Sequence, residues 1–222
     1  MSPTDDYFLS TGVDNSVCMW NLASPSTIAK LQLPSSTERL FASYDAGGLI
    51  FGVLCFDTRL KYHSLKLYDA RSFEQGPFQD IAPKSHLIES ALSKLPNVSI
   101  FPRGLQTPQW SDFAFSNDGL RILVNTQSEY LYVIDSFNAE AEPVIISRKN
   151  ELGSSLGACF SSDGLYVATG NDDNEIQVFD TKKGELQSTL IGHVAPVGSI
   201  QCNPRYDVVA AGCVNTALWI QP

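Results

Sequence analysis

The chain alternates short apolar runs with tight polar turns, and this pattern repeats. It is clearest in FSNDGLRILVNT, which starts at Phe115, and in FSSDGLYVATGN, which starts 45 residues later at Phe160. In each segment an aromatic residue at a strand end precedes Asp-Gly, a dipeptide that favours the positive φ angles of tight turns. The apolar run after the turn is too continuous for a half-exposed strand, so it predicts a strand that is covered on both faces.

A second marker gives the length of the repeat. The strand that follows each apolar run ends in MWN, LYD, VID, VFD or LWI, and the middle residues of these strings are 48, 66, 45 and 40 residues apart. Units of about 40 to 45 residues with three or four strands each are typical of propeller blades. The marker residues are Trp20, Tyr68, Ile134, Phe179 and Trp219.

We therefore predict an all-β fold, a WD40-type β-propeller, built as a single domain over residues 1–222. The first unit lacks a first strand and the last ends after its third. We expect a partial propeller of about five of seven blades, three complete and two incomplete, without the N-terminal blades of a full ring. An inserted segment at about 84–109, predicted to hold a short helix and a loop, explains the long gap between markers. The expected units are about 1–35, 36–83, 110–148, 153–191 and 192–222.

Parts of the polar set that closes a WD40 blade are present. Asp14 lies six residues before Trp20, and Asp173 six before Phe179, in the turn between the second and third strands of a unit. A carboxylate there is expected to accept backbone N–H groups and hold the hairpin. The dipeptide at 192–193 resembles the Gly-His that leads into a blade. We interpret these residues as structural rather than catalytic: Asp14, Trp20, Asp173, Phe179, His193 and Trp219.

Charge and cysteine usage narrow the class of function. The formal net charge is -9 and the pI is near 4.7, which argues against nucleic-acid binding through clustered Lys and Arg. We expect no membrane span and no secretory signal, because no long apolar run and no basic leader is present. The five cysteines form no CxxC pair. We therefore expect reduced thiols and an intracellular compartment.

The sequence contains few motifs that would indicate catalysis or metal binding. The string GSSLG at 153–157 matches the G-x-S-x-G of serine hydrolases, with Ser155 as the nucleophile, but that motif works on a strand-to-helix elbow and a strand is predicted to follow here. The three histidines are widely spaced and no P-loop is present. We predict no enzyme activity, no cofactor, no metal and no small-molecule substrate; a hydrolase centred on Ser155 is the alternative from another class.

Three strings resemble one particular family. LKLYDARSFEQGPF at 65–78, SPTDDYFLSTGVDNSVCMWNLASP near the start and NPRYDVVAAGCVNTALWIQP at the end are similar to the WD-repeat subunit shared by COMPASS histone methyltransferases and mRNA 3′-end/phosphatase complexes, the Swd-two family. The resemblance implies a nuclear, non-catalytic scaffold that links a histone H3 lysine methyltransferase to transcribed chromatin. It leaves open a subunit of an mRNA 3′-end processing or phosphatase complex that acts in transcription termination.

The string RSFEQGPF supplies the candidate binding residues. Arg and exposed aromatic side chains are common anchors of protein interfaces, and Arg71, Phe73 and Phe78 lie where a strand gives way to a loop. We predict that these three residues contact a protein partner, either methyltransferase-complex subunits or phosphatase and polyadenylation factors. The alternative interpretation is that both Phe side chains pack between blades.

Overall fold

The structure is a computed structural model that describes residues 1–82, 85–95 and 109–220. The chain divides into two compact units, residues 1–83 and residues 84–222. No helix in the described ranges is both long and apolar enough to cross a membrane.

The first unit contains two antiparallel sheets. One has three strands in the order β1-β2-β3, and the other has four strands in the order β4-β5-β6-β7. The strands are β1 (Tyr7–Thr11), β2 (Ser16–Asn21), β3 (Thr27–Gln32), β4 (Thr37–Tyr44), β5 (Ile50–Asp57), β6 (Tyr62–Asp69) and β7 (Gln79–Ile81).

The second unit begins with a helix, α1 (Ser85–Leu92), and continues as three antiparallel sheets. Their strands are joined in chain order, as β8 to β11, β12 to β15 and β16 to β18. The strands are β8 (Trp110–Phe115), β9 (Arg121–Thr126), β10 (Tyr130–Asp135), β11 (Val144–Ser147), β12 (Ala158–Phe160), β13 (Tyr166–Gly170), β14 (Glu175–Asp180), β15 (Leu186–Ile191), β16 (Ser199–Cys202), β17 (Val208–Gly212) and β18 (Thr216–Ile220).

This set of sheets confirms the predicted fold class. Within the described ranges, three sheets have four strands, and the two sheets with three strands come first and last in chain order. Every marker residue lies near the end of the strand that the repeat assigns to it, in β2, β6, β10, β14 and β18. The repeat of about 40 to 45 residues is therefore a repeat of small antiparallel sheets, as in WD40 blades.

The Asp-Gly turns form as the sequence predicts. Gly119 and Gly164 both have a φ of +69°, the left-handed conformation that glycine adopts at little cost. Asp118 and Asp163 each accept the backbone N–H two residues further on, at 3.0 and 2.9 Å. The carboxylate and the glycine together define the hairpin that leads into the buried second strand.

The second strands are covered on both faces, as their continuous apolar runs predict. In β9, all five residues from Ile122 to Thr126 are buried. One apolar cluster joins side chains of β9, β10 and β11 to side chains of β12, β13 and β14, including Phe160 and Phe179. A second cluster joins β12, β13 and β14 to β16 and β17, so each sheet contributes to the core of its neighbour.

Two neighbouring sheets of the second unit come close together at Gly157. Its backbone N–H donates to the carbonyl of Val197 at 2.9 Å. A Cβ atom on Gly157 would lie 2.8 Å from the backbone nitrogen of Ile200, closer than real Cβ atoms come to backbone. The absence of a side chain at this position therefore sets the spacing between β12 and β16.

Candidate partner-binding groove

The connection between β6 and β7 forms one wall of a surface groove in the first unit. Asp69 at the end of β6 accepts the backbone N–H of Arg71 at 2.8 Å, which tightens the turn. A single 3-10 turn (Phe73–Gln75) follows and ends at Gly76, whose φ of +95° favours glycine. The backbone N–H of Phe78 then donates to a carbonyl of β6 at 2.9 Å, which leads the chain into β7.

The groove has a volume of about 540 Å³, and its other wall is the turn between β4 and β5. Leu49 in that turn and Phe78 across from it leave 53% and 56% of their surfaces exposed. Asp69 and Arg71 add opposite charges to this apolar lining. Apolar surface beside an exposed guanidinium is the composition that protein-binding sites favour.

The three residues predicted to contact a partner occupy two environments. Arg71 and Phe78 are exposed and line the groove. Phe73 is buried, with 9% of its surface exposed, and its ring meets Phe51 edge to face at 6.0 Å between centroids. Phe51 in turn stacks on Tyr68, the marker residue of β6, at 5.2 Å. Phe73 thus anchors the loop in the core while its two neighbours face the groove.

The first sheet contains part of the WD-type polar set. The indole Nε1 of Trp20 donates to Ser10 Oγ at 2.9 Å. This hydrogen bond links β1 to β2, which correspond to the second and third strands of a repeat unit. Asp14 accepts hydrogen bonds from Ser16 Oγ and from Lys30 Nζ, both at 2.7 Å. The Lys30 ammonium and the Ser16 hydroxyl lower the pKa of Asp14 to about 2. The main donors to Asp14 are side chains, rather than the backbone N–H groups expected from the turn.

Asp173 departs from the expected role in the same way. Its Oδ1 accepts Lys149 Nζ at 2.7 Å. The backbone N–H groups of the turn donate instead to Asn171 Oδ1, from Asp173 at 3.0 Å and from Glu175 at 2.9 Å. Asn171 directly follows β13 and is almost fully buried, and its side chain accepts the turn N–H groups in place of the more exposed carboxylate. Phe179 on the following strand is buried in the apolar core.

In the last sheet a cysteine takes the position of the aspartate. Cys213 lies six residues before Trp219, the spacing that separates Asp14 from Trp20. His193 Nδ1 is 3.3 Å from Cys213 Sγ, and the rings of His193 and Trp219 lie 6.0 Å apart. The backbone N–H of Asn215 and the His193 side chain lower the pKa of the Cys213 thiol to about 7.

A buried polar cluster in the second unit was not predicted from the sequence. Arg148 follows β11 with 3% of its surface exposed. Its Nη1 donates to Thr169 Oγ1 at 2.6 Å, and its Nη2 donates to Asn125 Oδ1 at 3.0 Å and to the Thr126 carbonyl at 2.7 Å. Asn125 donates onward to Asp112 at 3.0 Å. Burial lowers the pKa of Arg148 to about 10 and raises that of Asp112.

Ser155 lies in an irregular segment that leads into β12, a strand. The strand-to-helix elbow that would present a nucleophile is therefore replaced at this position by the entry to a sheet. Among the described residues, no group of three or more His, Cys, Asp and Glu side chains is arranged to hold a metal ion.

Comparison with known proteins agrees with this architecture. The family described as WD domain, G-beta repeat matches residues 1–21 and 153–180, which cover the first hairpin and the strands from β12 to β14. These matches show that the chain contains WD repeats, in agreement with the small antiparallel sheets of the described residues.

Among proteins with WD repeats, the chain is similar to Swd2 components. It is 31% identical over 196 residues to the Set1 complex component swd2 of Schizosaccharomyces pombe, covering 86% of this chain and 47% of that protein. It is 25% identical over 222 residues to the COMPASS component SWD2 of Saccharomyces cerevisiae, covering 94% and 59%. WD repeat-containing protein 82 of Drosophila melanogaster is 30% identical over 221 residues, covering 99% and 61%. The chain thus spans about three fifths or less of the length of these relatives.

Proposed function

We propose that the chain is a non-catalytic scaffold subunit of a nuclear, COMPASS-like histone H3 lysine methyltransferase complex, which it links to transcribed chromatin. The observation that carries the proposal is its similarity, over most of its own length, to components named for the Set1 complex and for COMPASS in two yeasts. Rigid sheets with exposed connecting loops suit a subunit that joins proteins rather than one that transforms a substrate.

The groove between the β4–β5 turn and the β6–β7 connection is the proposed contact site. Arg71 offers a guanidinium that can pair with a carboxylate, and Phe78 and Leu49 offer apolar surface beside it. The loop is held by the buried ring of Phe73 and by the Asp69 turn, so little order has to be gained on binding. The proposed occupant is an extended protein segment that carries an apolar side chain next to a carboxylate.

The test is affinity purification of the endogenously tagged protein, with its partners identified by mass spectrometry. Recovery of a SET-domain methyltransferase is the expected result. Recovery of phosphatase or polyadenylation factors alone would overturn the proposal in favour of a 3′-end processing or phosphatase complex. Purification without any chromatin or RNA-processing partner would overturn both assignments.

A matched pair of variants tests the groove separately. The double variant Arg71→Glu, Phe78→Ala reverses the charge and removes the exposed ring without touching the buried Phe73. The control, Arg59→Glu with Phe137→Ala, makes the same changes at exposed positions that do not line the groove. We expect the groove variant to reduce partner recovery about tenfold or more and the control to leave it unchanged. Equal recovery with both variants would remove the groove from the proposal while leaving the scaffold role intact.

A further inference from the structure

Two cysteines from neighbouring sheets of the second unit meet in its core. Cys159 on β12 and Cys202 on β16 are 43 residues apart in the chain, and their Sγ atoms lie 3.3 Å apart without a disulfide bond. Cys159 is buried and Cys202 is half-buried. The other three cysteines contact oxygen or nitrogen instead: Cys18 contacts Ser16, Cys55 contacts Ser64 and Cys213 contacts His193.

Hydrogen bonds on both sides of the pair join the two sheets. Towards one end, Gly157 donates its backbone N–H to Val197 at 2.9 Å. Towards the other end, Ser162 Oγ contacts Asp207 Oδ1 at 3.4 Å. The sulfur atoms therefore approach each other within a fixed frame, and a covalent bond of about 2.05 Å requires them to close by about 1.3 Å, a distance within reach of side-chain rotation.

We infer that Cys159 and Cys202 are a reversible dithiol–disulfide site that links β12 to β16 when the protein meets a peroxide. The inference is independent of the proposed scaffold function. The Cys159–Cys202 pair is a site of covalent modification at the boundary between the sheet of β12–β15 and the sheet of β16–β18.

The two thiols have different parts in the reaction. Cys202 is the more accessible, and the hydrogen bond from Cys159 lowers its pKa, so Cys202 supplies the thiolate. That thiolate attacks one oxygen of the peroxide and the O–O bond breaks; the sulfur becomes a sulfenic acid, and the other oxygen leaves as water or an alcohol after taking a proton. The contact with Cys202, together with burial, raises the pKa of Cys159. The Cys159 thiol then attacks the sulfenic sulfur, loses its proton and displaces the sulfenic hydroxyl as water. The net change is oxidation of two thiols to one disulfide and reduction of one peroxide.

Peptide mapping tests the inference directly on the wild-type chain. The folded protein is treated with hydrogen peroxide, the remaining thiols are blocked with N-ethylmaleimide, and the protein is digested with trypsin. An Arg or Lys separates each cysteine from the next, so the five cysteines fall on five different peptides. We expect one dominant cross-link, between the Cys159 and Cys202 peptides, that dithiothreitol reverses. The same treatment in denaturant should give a statistical mixture of pairs.

Single variants separate the roles of the two cysteines. Cys159→Ser should leave Cys202 as a sulfenic acid that dimedone traps, whereas Cys202→Ser should leave Cys159 free to react with N-ethylmaleimide after unfolding. Cys213→Ser is the matched control and should keep the cross-link. Oxidation should raise the Tm of the wild type by at least about 2 °C and leave that of the Cys159 and Cys202 variants unchanged. The inference would be overturned if the peroxide-treated wild-type protein has an unmodified Cys159, or if its cysteines are cross-linked at random.

Discussion

The guanidinium of Arg148 donates a 2.6 Å hydrogen bond to the hydroxyl of Thr169, and this contact joins two neighbouring sheets of the second unit. Arg148 follows the last strand of one sheet, while Thr169 lies on the second strand of the next. The same guanidinium binds Asn125 and the Thr126 carbonyl, so one buried cation satisfies acceptors on both sheets. Buried polar groups of this kind stabilise a fold only while all their partners are present.

Replacement of Arg148 by Met should therefore be strongly destabilising. The methionine keeps part of the aliphatic volume but leaves the acceptors of Asn125 and Thr126, and the Asp112 carboxylate, without their cation. We expect a loss of about 3 kcal/mol in the free energy of unfolding, measured by urea denaturation. Arg205→Met, at an exposed position, is the control and should change stability by less than about 0.5 kcal/mol. Equal losses in the two variants would show that the buried cluster has no special role.

Because of His63, the free energy of unfolding should decrease as the pH is lowered through the mildly acidic range. Burial in β6, and to a lesser degree the charge of Arg39, lower its pKa from 6.5 to about 4. Between these values the unfolded chain binds a proton that the folded chain does not, so lowering the pH favours unfolding. The stability that depends on an uncharged His63 is complete above the unfolded pKa of 6.5, and it is lost as the pH falls towards the folded pKa of about 4. From about pH 7 to about pH 4.5 this should cost about 2 kcal/mol.

The variant His63→Phe should remove that dependence. It keeps a ring against Phe56, whose centroid lies 4.8 Å from that of His63, but has no titrating group. His86→Gln, at an exposed position of α1, should retain the slope of the wild type. Urea midpoints at several pH values measure the difference. An unaltered pH slope in His63→Phe would assign the effect to other groups.

A methyl group on Gly157 should disturb the boundary between β12 and β16. It would lie 2.8 Å from the nitrogen of Ile200 and 2.9 Å from the Cα of Ser199, and backbone atoms cannot move aside as a flexible side chain can. We expect Gly157→Ala to lower the free energy of unfolding by about 2 kcal/mol.

Gly198→Ala is the matched control, because the nearest atom to its added methyl is a carbonyl oxygen at 3.6 Å, an ordinary contact. It should cost less than about 1 kcal/mol by thermal or urea unfolding. Similar losses in the two variants would mean that the cost arises from backbone entropy rather than from the close approach of the sheets.

The fold was predictable because its signals are local. Asp-Gly turns, continuous apolar strands and the marker residues all lie within one small sheet, and the sheet is the unit that repeats. The cluster around Arg148 has no such signal, since Asp112, Asn125 and Thr169 lie 21 to 36 residues from it and meet it only when the sheets pack. Nothing in the order of the residues indicates that this arginine is buried.

The groove was predictable only in part, for a different reason. Arg71, Phe73 and Phe78 occupy one short loop, and the sequence shows that they are close but not which way each points. The 3-10 turn and Gly76 direct Phe73 inwards and Phe78 outwards. The position of Cys213 was predictable from spacing, because it lies six residues before Trp219 as Asp14 lies six residues before Trp20. A search for carboxylates at that spacing overlooks a thiol.

That substitution makes repeats of similar geometry chemically unequal. The turn that holds a carboxylate in the first sheet, ionised far below neutrality with its pKa of about 2, holds in the last sheet a thiol whose pKa is about 7. At neutral pH the first turn has a constant charge, whereas the last is divided between a neutral and an anionic form. The two ends of the repeat array therefore differ in how they respond to proton concentration, although their backbones follow the same plan.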